Sequence, residues 1–74
     1  MQENGMIIRC YGKSELALLY FPNLESDSAV RKLMRWIKRC TDLMDELLKL
    51  NYQPVNKAFS AREVRLIVFY LGEP

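Results

Sequence analysis

GKSELALLYFPNLESDSAVRKLMRWIKR, residues 12–39, holds two helix-length segments around a proline-containing break. From Lys13 to Phe21 the residues are mostly good helix formers, and Leu16, Leu19 and Tyr20 recur on one face. Gly12 is an acceptable N-cap, Glu15 suits the positive end of the helix dipole, and Pro22 closes the segment. PNLES then reads as a connecting loop. A second helix opens at Ser26 or Asp27, both good caps, and runs to about Arg39. Its apolar positions Ala29, Val30, Leu33, Met34, Ile37 and Cys40 follow helical spacing, and Arg31, Lys32, Arg35, Lys38 and Arg39 fall on the other side.

Outward from this pair, MIIRCY (6–11) is rich in β-branched and aromatic residues and predicts a short strand, preceded by a loose tail over 1–5. Downstream, Thr41 is placed to cap a third helix reaching about Leu50. Asp42, Asp45 and Glu46 lie early in it, and Leu43, Met44, Leu47 and Leu48 form its buried stripe. NYQPVNK is a turn-rich loop, and Lys57 to Phe59 could add a short strand pairing with the first. Ser60-Ala-Arg-Glu63 is a capping box, with Phe59 and Val64 placed as a hydrophobic staple. VRLIVFYL reads as a helix buried over most of its girth, stopped by Gly72. The expected fold is mainly α, about four helices with a minor β-strand or hairpin element, in a single domain over 1–74.

Composition bounds the function. The chain has 74 residues, half of them apolar and 27% charged, as a globular domain requires. At this size only about 60% of the unfolded surface is buried, so stability is a few kcal/mol. The two cysteines, Cys10 and Cys40, and the lack of histidine leave no four-ligand zinc site, so no metal and no cofactor is expected. Both thiols are expected free and packed, in a reducing cytoplasm. MQENG lacks the pattern of a signal peptide, and the longest apolar run, 16–21, is far too short for a membrane span. No Gly-rich phosphate loop and no nucleophile with a base in prospect occurs, so an enzyme acting on a small-molecule substrate is not expected.

Charge placement says more than the net charge of +2. Residues 28–40 carry five cations and no anion, and residues 41–46 carry three anions and no cation. Arg31, Arg35 and Lys38 form one line on the second helix, with Lys32 and Arg39 beside it. Guanidinium groups match phosphate oxygens and guanine edges, so a helix basic on one face and packed on the other suits a DNA major groove. The plain alternative is a solvated face balancing the acidic third helix. A short helix, a turn and a basic helix is the order of a helix-turn-helix, whose second helix enters the groove. The expected partner is therefore double-stranded DNA, with Arg31, Lys32 and Arg35 in the groove and Lys38, Arg39 and Lys57 on phosphates. A rival reading keeps the fold but makes it an interaction module for an acidic protein or another copy. Arg62 and Arg65 are further candidate phosphate contacts equally explained by a solvated face; Asn56 is another, for which a plain loop is the simpler account, and so are Lys13 and Ser14, which capping explains. Trp36 reads as a core or half-core residue, and Tyr11, Tyr20 and Tyr52 as core-edge residues with wet hydroxyls.

Glu15-Leu16-Ala17, Arg35-Trp36 and the run NYQPVNKAFSAREVRLI, with Phe59 and Ser60 at its turn into a helix, resemble the MerR and excisionase-like winged helix-turn-helix group. The resemblance implies a winged-helix-like domain whose wing includes Asn56 and Lys57. Two departures accompany it: FPNLES is longer than the group's usual turn, and the chain reaches Pro74 without the group's dimerising coiled coil. Over residues 9–74 the chain is still more similar to a family of short bacterial proteins known only as a domain of unknown function. That similarity is carried by YGKSELALLYFP, RWI, NY and FSAREVRLIVFYLGEP, and it implies a fold but no activity.

Overall fold

The computed structural model describes residues 7–53 and 55–74. The elements in order are β1 (Tyr11–Gly12), α1 (Lys13–Tyr20), α2 (Ser26–Arg39), α3 (Thr41–Lys49), β2 (Ala58–Phe59) and α4 (Ala61–Leu71). The fold is mainly helical with one small antiparallel strand pair, as the sequence predicts. The predicted tail over 1–5 lies outside the described residues, as does Met6 at the start of the predicted strand. Of the rest of that predicted strand only Tyr11 is in β1, opposite Phe59; Gly12, which the sequence places at the strand's end, is its second residue, opposite Ala58, and residues 7–10 lie outside it. One more backbone bond, Lys13 N–H to the Lys57 carbonyl at 2.9 Å, extends the tie into the first turn of α1.

Helix ends follow local chemistry. At α1 the Gly12 N–H donates to Glu15 Oε1 at 3.2 Å, and Arg9 reaches the other carboxylate oxygen at 2.9 Å. Phe21, held before Pro22, closes the helix by donating to the Ala17 carbonyl. The N-cap of α2 is Glu25, one residue before the predicted Ser26 or Asp27, and its side chain makes no cap bond. Cys40, with φ −89° and ψ 91°, serves as both C-cap of α2 and N-cap of α3, so Thr41 is the first residue of α3 and not its cap. The end of α3 is a Schellman motif. Asn51 takes the left-handed conformation (φ 64°), its N–H bonds Leu48 O, and Tyr52 N–H bonds Leu47 O. Asparagine tolerates that conformation better than most residues. The predicted capping box opens α4: Ser60 N–H donates to Glu63 Oε1 at 2.8 Å, and Glu63 N–H to Ser60 Oγ at 3.3 Å. Gly72, at φ 87°, ends it.

The core collects Leu16 and Ala17 of α1, Ala29, Leu33 and Ile37 of α2, Leu43 and Leu47 of α3, and Val64 and Ile67 of α4, around Tyr11, Tyr52 and Phe59. Each fully buried aliphatic or Phe side chain contributes about 1.5–3 kcal/mol of transfer free energy. Several expected core positions face water instead. Leu19, Leu48 and Phe69 are exposed, Phe69 at 78%, so α4 is not buried over most of its girth. The reason is capacity: a chain this short has less interior than its apolar positions could fill. Three tyrosine hydroxyls also find partners within the protein. Tyr11 donates to Ile7 O at 2.7 Å, Tyr20 to Gly72 O, and Tyr52 contacts Met34 Sδ at 3.7 Å. Both cysteines are free; Cys40 is half-buried, but Cys10 is exposed where packing was expected.

Candidate nucleic-acid interface

Burial of Ala29, Leu33 and Ile37 fixes how α2 is turned about its axis. At about 100° per residue, Arg31, Arg35, Lys38, Arg39 and Lys32 then point away from the core, and all five are exposed. Among the described residues none of the five forms an ion pair; the ion pairs there are Arg9–Glu15 and Lys49–Glu46. From Arg31 to Arg39 the face runs about 12 Å along the axis, at 1.5 Å per residue. Part of this charge is explained locally. Lys38 and Arg39 sit in the last turn of α2 and Asp42 in the first turn of α3, where the dipoles favour those signs. Arg31, Lys32 and Arg35 have no such account.

The two flanks of the face differ. On one, Trp36 packs edge-on against Phe21 at 4.9 Å between ring centres. Lys32 Nζ lies 4.8 Å from the Phe21 ring centre and 6.0 Å from that of Trp36, a cation–π placement. Trp36 is thus a half-core residue, still 37% exposed. On the other flank, Val30 and Met34 floor a shallow trough of about 500 Å³ rimmed by Arg31, Arg35, Lys38 and Arg39.

At Val30 and Arg31 this trough meets a second cleft, of about 460 Å³, whose walls include Lys13, Asp27 and Lys57. Lys57 is brought there by the strand pair and by its carbonyl bond to Lys13, two ties from a distant part of the chain. Lys13 is half-buried, its Nζ 5.5 and 5.8 Å from the ring centres of Tyr52 and Phe59. Burial lowers its pKa, Glu63 opposes that shift, and Lys38 adds to it. The structure therefore gathers Arg31, Arg35, Lys38, Arg39 and Lys57 along one connected surface, with Lys32 on the opposite flank. Arg62 and Arg65, exposed on α4, line neither cleft. From the sequence Val30 and Met34 read as packing and Asp27 as a cap; the predicted pairing of 57–59 with the first strand brings Lys57 to the start of α1, and its placement beside Asp27 and Val30 of α2 is what the pattern does not signal.

Among the described residues no group of three or more His, Cys, Asp or Glu is placed to hold a metal ion, and no helix is long and apolar enough to cross a membrane. The family described as Domain of unknown function (DUF4248) matches residues 7–74, and the chain belongs to it. No curated protein and no solved structure matches the chain.

Proposed function

We propose that this member of a family without an assigned activity binds double-stranded DNA through α2. The observation that carries the reading is the exposed face of five cations that no described carboxylate neutralises. An α-helix with its side chains is about 10–12 Å across, which fits a major groove about 12 Å wide. Arg31, Lys32 and Arg35 would meet base edges, while Lys38, Arg39 and Lys57 would meet phosphates. Two features agree with a helix-turn-helix of the MerR and excisionase-like kind: α1 directly precedes α2 in the chain, although the connection 21–25 is longer than that group's usual turn, and the loop before β2 brings Lys57 alongside α2. That loop, however, pairs with β1 through Ala58–Phe59 rather than forming a strand pair of its own among the described residues. It would serve as a wing only in position.

The test is fluorescence anisotropy of a labelled random-sequence duplex, titrated at two salt concentrations. With the three phosphates at Lys38, Arg39 and Lys57 neutralised, log affinity falls with log salt at a slope of about 3, roughly fortyfold between 50 and 200 mM. Absence of binding at low salt and high micromolar protein would sink the proposal. The competing reading, an interaction module of the same fold, draws on the exposed Phe69; it predicts no duplex binding at all.

A further inference from the structure

We infer that the cleft between the start of α1, α2 and the 55–57 loop binds a phosphate group, held by Arg31 and Lys57. If the group is a DNA backbone phosphate, the inference rests on the duplex reading above. If it belongs to a free phosphorylated molecule, it stands without that reading.

The cleft has a volume of about 460 Å³ and is built from three separate segments of chain. Two of the segments supply a cation, Arg31 from α2 and Lys57 from the loop, against one carboxylate in the lining, Asp27; the Lys13 ammonium lies over the Tyr52 and Phe59 rings instead. The Ser14 hydroxyl and the Asn56 amide add uncharged donors between them. Val30 and Val55 supply the apolar part of the wall.

Geometry favours phosphate over a carboxylate. Donors arriving from three sides fit a tetrahedral group with oxygens on every side, whereas a planar carboxylate offers two. Arginine can grip two phosphate oxygens at once, and lysine adds a point charge. The placement of Lys57 is not left to a wandering loop. Its carbonyl accepts the Lys13 N–H at 2.9 Å, and Ala58 beside it is paired with Gly12. Because those ties are made by backbone, changing the Lys57 side chain leaves them in place. The cleft shares Val30 and Arg31 with the trough along α2, so a DNA backbone occupant would take Arg31 from the base edge assigned above to a phosphate shared with Lys57.

The experiment is an amide NMR titration of the whole chain with inorganic pyrophosphate and, separately, with a short DNA duplex at matched ionic strength. Wild type, Lys57→Gln and Asp27→Asn are compared. Expected are saturable shifts centred on Ser14, Arg31, Asn56 and Lys57. Lys57→Gln weakens binding about tenfold, as loss of a charged hydrogen bond does, and Asp27→Asn strengthens it severalfold. Shifts at those amides with both ligands support the cleft and a backbone phosphate as its natural occupant. Shifts with pyrophosphate but no duplex binding support the cleft, overturn the DNA reading, and make a free phosphorylated molecule the occupant. Duplex binding confined to α2, with Lys57→Gln unchanged and pyrophosphate shifting no cleft amide, overturns the cleft inference while leaving the DNA reading intact. Pyrophosphate shifts spread evenly over all surface lysines and arginines overturn it as well.

Discussion

Replacing Phe59 with alanine tests whether the two-residue strand β2 anchors the fold or merely touches it. The ring is fully buried and stacks on Tyr52 with centres 5.8 Å apart and planes 19° from parallel. Truncating a buried phenylalanine costs about 3–5 kcal/mol from lost transfer energy and the cavity left behind. The aromatic pair accounts for about 0.5–1.5 kcal/mol within that range. A domain of 74 residues has a total stability of about 4–11 kcal/mol, and small domains fall toward the low end. Phe59→Ala should therefore remove most of the stability. Phe59→Leu, which keeps much of the volume, should cost about 1.5 kcal/mol or less. Urea unfolding followed by circular dichroism reads both variants. With a slope of about 1 kcal/mol per molar for a chain this small, the alanine midpoint should fall by about 3–5 M or vanish. A loss below about 1.5 kcal/mol for Phe59→Ala would refute the reasoning, because the 52–59 segment could then not be held by its aromatic core. Lys57 would then have no fixed place beside Arg31.

Three further outcomes are expected. Arg31→Glu combined with Arg35→Glu should abolish duplex binding by anisotropy while leaving the thermal midpoint within a few degrees of wild type, since both residues are exposed and without an ion pair among the described residues. Ser60→Ala removes the acceptor for Glu63 N–H and should cost about 1 kcal/mol, seen as a midpoint about 4–8 °C lower. Burial, with a smaller contribution from Glu73, pushes the Tyr20 hydroxyl up to about 12. The unfolded chain loses that proton near pH 10 and the folded protein holds it longer, so this group's stabilisation is complete below about pH 10 and is lost as pH rises toward 12. Tyr20→Phe should flatten that part of the alkaline stability curve measured by urea midpoints; an unchanged curve would contradict the assignment.

The fold was largely legible because helix ends are local. The Ser60–Glu63 box, Gly72 and Pro22 each act within a turn of the residue that signals them, and α2 and α4 follow within a residue or two. The pairing of β1 with β2 was also readable in outline, since two short β-prone runs had few other partners. Face assignment was harder. Leu19 and Leu48 match the apolar spacing as well as Leu16 and Leu47 do, and only the limited interior decides which are left outside. The basic face of α2 follows from period alone. The cleft does not, because its third wall comes from a loop whose path depends on the Schellman turn at Asn51 and on burial of Phe59. Asn51 itself was a readable signal for that turn, lying just after the last helical stripe residue.

Cys40 joins α2 to α3 with no spacer. Its N–H bonds back to Trp36 O at 3.3 Å and Ile37 O at 3.2 Å, and its carbonyl accepts the Met44 N–H at 3.0 Å. Two rods welded at such an elbow behave as a bell crank: one arm cannot swing without the other. Since α3 is seated in the core through Leu43 and Leu47, torque on the basic arm is delivered to the interior rather than dissipated in slack chain. A ligand of the folded state that grips α2 would add, by mass action, to the resistance of the whole molecule to unfolding.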